Sequence, residues 1–251
     1  MFLVKVLLHF WWELLVGYPT GAKIVANLKE KGICNQEECE RLIAFTNNSG
    51  PLFIVGTVGC GLFKDSNIGF LLLFTHILAC ITVGIIFRFW KIKKEHFRFE
   101  NSSTFNYINV DIQNLGEVLG SSIKNAINTV VMIGGFVVLF SVINSMLNNT
   151  HFFDILTAIF SPIFNMFGIP INYCENIFSG IIELTNGVSK ICTNTSSINI
   201  ITCAFLLGFG GISVLLQVLS ITSKSNISIK PYIIGKLLHG FFAAFYTFLI
   251  L

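Results

Sequence analysis

Four short polar stretches interrupt apolar runs of this chain, and their residue types suit the capture of a small anion. TNNSGP, Thr46 to Pro51, divides the apolar run from Leu42 to Gly56. GYPTGAK ends on Lys23, and IIELTNG carries Glu183 beside Thr185 and Asn186. GFGG places Gly208, Gly210 and Gly211 inside a fourth run. Helices restarting near Pro19 and Pro51 direct partial positive charge at what lies before them, which favours a carboxylate or phosphate. The glycines expose bare N–H groups, the amides of Asn47 and Asn48 and the hydroxyl of Ser49 offer hydrogen bonds, and Lys23 or Lys190 supplies a counter-charge. The candidate site is therefore Pro19, Thr20, Gly21, Lys23, Asn47, Asn48, Ser49, Gly50, Glu183, Thr185, Asn186, Gly208, Gly210 and Gly211.

Each of these has a plainer reading. Glu183 can cap its own broken helix. Lysines near helix ends can snorkel to an interface. His76 and His239, each inside a long apolar run, can hydrogen-bond within a helix bundle, although ionisable groups at such depth are costly and lean towards function. The 7 cysteines lack CxxC spacing and read as small apolar filler. There is no GxSxG, no GxxxxGK[ST] and no HExxH, and GFGG lacks the Lys-Ser/Thr of a phosphate loop. Nothing calls for an enzyme, a metal or a cofactor.

The elements that must hold these residues are membrane helices. Of 251 residues, 53% are hydrophobic and only 12% charged, and the mean hydropathy is +0.75; a soluble domain carries about 25% charged residues. A net charge of +3 does not imply nucleic acid. The expected partners are the bilayer, a small anionic solute and a further copy of the chain. Ile68–Trp90, Ile127–Leu147 and Ile229–Leu251 read as full spans. Arg88, Lys91, Lys93, Lys94 and Arg98 follow the first and place that end in the cytoplasm. Met1–Val16 reads as a short membrane helix, with Glu13 beside Trp11 and Trp12 at an interface. Asn101–Asn125 reads as an amphipathic helix or a loop. Phe152–Phe167, holding Pro162 and Asn165, is a weaker span, and Ile177–Ile191 and Ile198–Ile221 are interrupted.

Local signals locate the breaks. Pro19 opens a helix that stops at Gly32 after Lys29 and Lys31. Asn35 with Glu38 three residues on predicts the next start. That helix breaks at TNNSGP, and Pro51 restarts one running to about Leu62, forming a re-entrant hairpin. A faint repeat sets Ala44–Val55 over Ala204–Leu215 at a shift of about 160 residues, and Glu13–Ile24 over Gly180–Ile191. If Phe152–Phe167 crosses by itself, the halves run parallel. If it joins Ile177–Ile191 as one bent crossing, they are inverted, the commoner basis of alternating access and the reading adopted. The expected fold is all-α: a polytopic membrane protein with broken helices and two re-entrant helical hairpins in an inverted internal repeat. Its parts are a first repeat over 1–90, a basic loop and amphipathic helix over 91–126, connecting spans over 127–175 and a second repeat over 176–251.

GYPTGAKIVANL, EECERLIAFTNNSGPLFIVGTVGCGLF and GFLLLFTHILACITVGIIFRF together resemble the sporulation integral membrane protein YlbJ family of endospore-forming bacteria. IGGFVVLFSVI and GIIELTNGVSKI resemble its pattern too, so the likeness runs through nearly the whole chain. The family is related to the nucleoside-recognition Gate membrane proteins and, more distantly, to concentrative nucleoside transporters. This resemblance implies re-entrant hairpins, paired broken helices and a role in moving dipicolinic acid across the outer forespore membrane. Family members carry further membrane segments before GYP, so a shortened paralogue or a late start is expected here.

Overall fold

The structure, a computed structural model, describes residues 16–91, 112–166 and 170–251. The expected helix over Met1–Val16, apart from Val16 itself, its Trp11–Trp12–Glu13 belt and the basic residues Lys93, Lys94 and Arg98 fall outside the described residues. The elements among them are helices: α1 Thr20–Glu30, α2 Gln36–Phe45, α3 Leu52–Phe63, α4 Ser66–Phe87, α5 Ile112–Asn149, α6 Phe152–Met166, α7 Asn172–Ile182, α8 Leu184–Ile191, α9 Ser197–Phe209, α10 Gly211–Thr222 and α11 Lys230–Ile250.

The local signals act where they stand. Asn35 caps α2 in a complete capping box, its side chain accepting from Glu38 N at 2.8 Å while Asn35 N donates to Glu38 Oε2 at 2.8 Å. α1 ends at Glu30, with Lys31 as its cap and Gly32, φ 64°, next. α3 begins after Pro51 as expected, but it is wound as a π-helix over all 12 residues. Asp65 opens α4 by accepting from Asn67 N at 2.8 Å.

Four stretches are long and apolar enough to cross a membrane: Ser66–Phe87, Leu115–Asn149, Ser197–Ser225 and Lys230–Ile250. The third is bent where α9 gives way to α10. The two stretches that the sequence separates near Asn125 are one helix: α5 runs unbroken through 38 residues. At 1.5 Å per residue it is about 57 Å long, nearly twice a bilayer core of about 30 Å, so a polar half and an apolar half share one rod. α6, with 15 residues and Pro162 inside it, is shorter than a span. It packs against α7 as a separate helix.

α4 and α11 form the centre. α11 lies against α9, α4 and α2, and α4 lies against α3. One apolar cluster joins α3, α4, α8, α9 and α11 through Ile54, Leu72, Val188, Leu206 and Ala243. Another joins α1, α2 and α10 through Val25, Ile43 and Val218, closed by Tyr232 of α11. Lipid tails are as apolar as these side chains, so close packing rather than water exclusion holds such helices together. Gly235 of α11 shows how close: a Cβ there would fall 2.1 Å from the main-chain oxygen of Ala44.

The element order in the two halves is alike: a short helix, a helix–break–helix unit, then a long helix. Their docking differs. α3 lies along its own long helix α4, whereas α10 packs on α1, α5 and α7.

Candidate functional site: a junction of helix breaks

Each break leaves main-chain groups that a helix would otherwise pair, and in hydrocarbon these cost several kcal/mol each. The chain resolves this by making the breaks cap one another. α1 begins after Pro19, which offers no capping side chain. Its first-turn N–H at Ala22 instead donates to Asn47 Oδ1, 3.4 Å away. Asn47 holds φ 77°, left-handed backbone that asparagine tolerates better than most residues. Its Nδ2 donates to Tyr232 Oη at 2.9 Å. The residue is fully buried.

The break between α9 and α10 is closed from the first half in the same way. Leu207 O, one of the last carbonyls of α9, accepts from Tyr18 Oη at 3.2 Å and from Ser49 Oγ at 3.5 Å. Ser49 Oγ stands closer to Tyr18 Oη, at 3.0 Å, so its single proton is shared between the two oxygens. Gly210 ends α9 and begins α10 with φ 85°, a conformation that disfavours any Cβ. A Cβ at Gly210 would also stand 2.9 Å from Tyr18 Oη. Gly17 and Gly50 meet main chain to main chain, since a Cβ on Gly17 would lie 2.7 Å from Gly50 N. Gly211 closes the fourth side, against Gly180 O and Leu184 N at the α7–α8 break. Four interruptions scattered along the sequence therefore meet at one junction.

At its heart is a group that the sequence reading passed over. Lys236, in the second turn of α11, is 1% exposed. Its Nζ donates to Asn47 O at 3.3 Å, stands 3.4 Å from His239 Nδ1 and lies 5.5 Å from the Tyr18 ring centre. His239 Nε2 reaches His76 O at 3.0 Å, and the two imidazole rings are 4.3 Å apart. The signal was available: an ionisable residue inside a span, three positions before a histidine already singled out.

The remaining candidates divide. Asn48 is fully buried, with Nδ2 donating to Phe45 O at 3.0 Å and to Cys80 Sγ at 3.4 Å. Thr20 is half-buried and Gly21 buried in the first turn of α1. Gly208 packs α9 against Gly240 of α11. Lys23 is half-buried and donates to Thr129 Oγ1 on α5. Lys190 forms an ion pair with Glu175 at 3.0 Å. Glu183, 1% exposed, caps α8, its Oε2 accepting from Asn186 N at 2.9 Å and from Thr185 Oγ1. Asn186 Nδ2 in turn donates to Ser141 Oγ of α5 at 3.1 Å. Among the described residues no cluster of His, Cys, Asp or Glu could hold a metal ion.

Long apolar helices around a buried polar junction of helix breaks define an integral membrane protein of the broken-helix kind. The chain is 34% identical over 248 residues to the sporulation integral membrane protein YlbJ of Bacillus subtilis (strain 168), an alignment covering 93% of this chain and 61% of that relative. It belongs to the YlbJ family, and it spans about three fifths of that relative's length. No family model and no solved structure matches the chain.

Proposed function

We propose that this protein acts in the membrane during sporulation as a transporter or facilitator of a small anionic solute, with dipicolinate, a compact aromatic dianion, as the solute and the outer forespore membrane as its place. The supporting observation is the meeting of four breaks at one junction, with the buried Lys236 on Asn47 O beside the first of the hairpin breaks. A junction of half-helix ends and amides next to a cation, buried inside the helix bundle, has the chemistry that receives carboxylates in transporters built from discontinuous helices. The test is binding by the purified full chain. A ligand that binds only the folded state stabilises it by about 2.7 kcal/mol at a hundred times its Kd. Dipicolinate should therefore raise the unfolding temperature, and benzoate should do so less. Spores carrying Lys23→Met with Asn48→Ala should accumulate less dipicolinate. Unchanged accumulation together with no thermal shift would reject the reading.

A second reading, a membrane scaffold without transport, is favoured by one observation: Asn47 and Glu183 both cap helix ends inside the protein. In that case the junction's polar groups serve only to join helices. Dipicolinate would then leave the unfolding temperature unmoved, while Asn47→Ala would still lower it.

A further inference from the structure

Glu183 is the residue at which α7 stops, and it is buried in the helix bundle. Among the described residues the ion pairs join Lys91 to Glu40, His151 to Asp154 and Lys190 to Glu175, and none reaches Glu183. The surrounding helices have no cation to offer it. α5, α6, α9 and α10 pack on α7 or α8. α6, α7, α9 and α10 contain no Lys, Arg or His. Lys124, the basic residue of α5, lies about 30 Å before Asn144 along that helix. Lys190 of α8 is held by Glu175. The positive end of α8, which Glu183 caps, amounts to about half a charge. A buried charge is costly unless it is paired, fully hydrogen-bonded or bound to a metal ion.

The same break gathers acceptors that lack donors. Ser179 O accepts from Glu183 N at 2.9 Å and from Asn144 Nδ2 at 3.1 Å, so the Asn144 amide sits against the last turn of α7. Asn144 Nδ2 lies 2.8 Å from Ser179 Oγ as well. A main-chain oxygen can only accept, which fixes the amide nitrogen on Ser179 and turns Asn144 Oδ1 away from it. That oxygen is buried and has no hydrogen-bond partner among the described residues. An orphaned buried acceptor asks for an explanation. The carbonyls of Gly180 and Ile181 belong to the last turn of α7, whose carbonyls have no partner within the helix. Gly211 of α10 lies against both: a Cβ there would stand 3.2 Å from Gly180 O and 3.5 Å from Ile181 O.

We propose that the α7–α8 break binds one monovalent alkali cation, with Glu183, Asn144 Oδ1 and the carbonyls that end α7 as its oxygen ligands. One carboxylate balances one positive charge. The C-terminal end of a half-helix adds partial negative charge and free carbonyls, which suit such an ion. Mg²⁺ fits less well, because it would leave a positive charge over, demands near-octahedral geometry and gives up its waters reluctantly. A site of amide, carbonyl and single carboxylate oxygens needs no cluster of His, Cys, Asp or Glu. The ion would fasten α5 to the break between α7 and α8. This inference does not depend on which solute the junction receives.

Thermal unfolding of the purified full chain in detergent tests this, in sodium, potassium or choline chloride at equal ionic strength and without dipicolinate. A cation that binds only the folded state stabilises it by mass action. Sodium or potassium should therefore raise the unfolding temperature saturably above its value in choline. Glu183→Gln keeps an oxygen for the cap on α8 and removes the charge, so the apparent affinity for the alkali cation should fall at least tenfold. Asn144→Ala leaves that cap untouched and should weaken the response too. Equal unfolding temperatures of the wild type in all three salts would overturn the inference without recourse to any variant; a proton or a water would then satisfy Glu183. An alkali effect that persists unchanged in the two variants would also overturn it, by placing the ion elsewhere. Neither result touches the transport reading, which the dipicolinate experiment decides.

Discussion

Lys236 Nζ lies 3.3 Å from the main-chain oxygen of Asn47, residues 189 positions apart in the chain. This contact fastens the last long helix to the break between α2 and α3, and it sets a charge among half-helix ends. Removing one member of a buried charged network leaves its partners unmatched and costs about 3–5 kcal/mol. Lys236→Met should therefore insert with an unfolding temperature below wild type. Its affinity for dipicolinate should fall at least tenfold, a loss of about 1.4 kcal/mol or more. Scanning fluorimetry with and without dipicolinate measures both. Equal binding by the variant would remove Lys236 from the site.

Asn47 should act through stability. Its side chain holds Ala22 N and Tyr232 Oη, and its backbone adopts a left-handed conformation. Each buried hydrogen bond contributes about 1 kcal/mol, and an orphaned N–H in α1 adds about 1–3 kcal/mol more. Asn47→Ala should cost about 3–5 kcal/mol with or without solute, while Asn47→Asp should keep the Ala22 contact and lose less. Denaturation in mixed micelles ranks the two, and an Asn47→Ala variant as stable as wild type would refute the cross-capping.

How far the sequence carried the interpretation depends on range. The start at Asn35, the stop at Gly32 and the breaks at TNNSGP, Glu183 and Gly210 were legible because caps, prolines and left-handed positions act within four residues. Lys236 on Asn47, and Tyr18 on Leu207, were not legible, because no periodicity relates positions nearly two hundred residues apart. The unbroken α5 was missed for another reason. Polarity rises before Ile127, yet Glu117, Lys124 and Asn125 are compatible with an exposed helical surface, so composition shifted where the backbone did not. The π-winding of α3 left no mark in the sequence that separates it from an ordinary helix. At Glu183 the pattern offered a capping role, and the cap on Asn186 N was legible for the same short-range reason.

Gly210 is the position where one methyl group should disturb the junction most directly. A side chain there carries the penalty of left-handed backbone, about 1–2 kcal/mol. It would also press on the Tyr18 hydroxyl at 2.9 Å. Gly210→Ala should lower stability by about 2–3 kcal/mol in all. Adding Tyr18→Phe removes the contacted oxygen but also one donor to Leu207 O, so the double variant should recover only part of the loss. Full additivity of the two changes, measured in a double-mutant cycle, would show that Tyr18 and Gly210 do not interact.

The rim of the bundle offers a pH test independent of any solute. Glu40, 2% exposed on α2, accepts from Lys91 Nζ at 2.9 Å, Trp90 Nε1 at 3.2 Å and Gln36 Nε2 at 3.2 Å. Burial pushes its carboxyl up; the three hydrogen bonds and the Lys91 charge pull it down further, leaving it below its ordinary value of 4.5. A carboxyl depressed in the folded state binds fewer protons there than in the unfolded state. Its stabilisation is therefore complete above pH 4.5 and disappears as pH falls below that value towards the folded pKa. Lys91 is 52% exposed, so the ion pair itself contributes little and the hydrogen bonds dominate. Glu40→Gln should cost about 1–2 kcal/mol at pH 7, and the difference from wild type should shrink as the pH falls from 5 towards 3. A difference that stays constant across that interval would mean that the Glu40 carboxylate is not held by Lys91 and Trp90 at the end of α4.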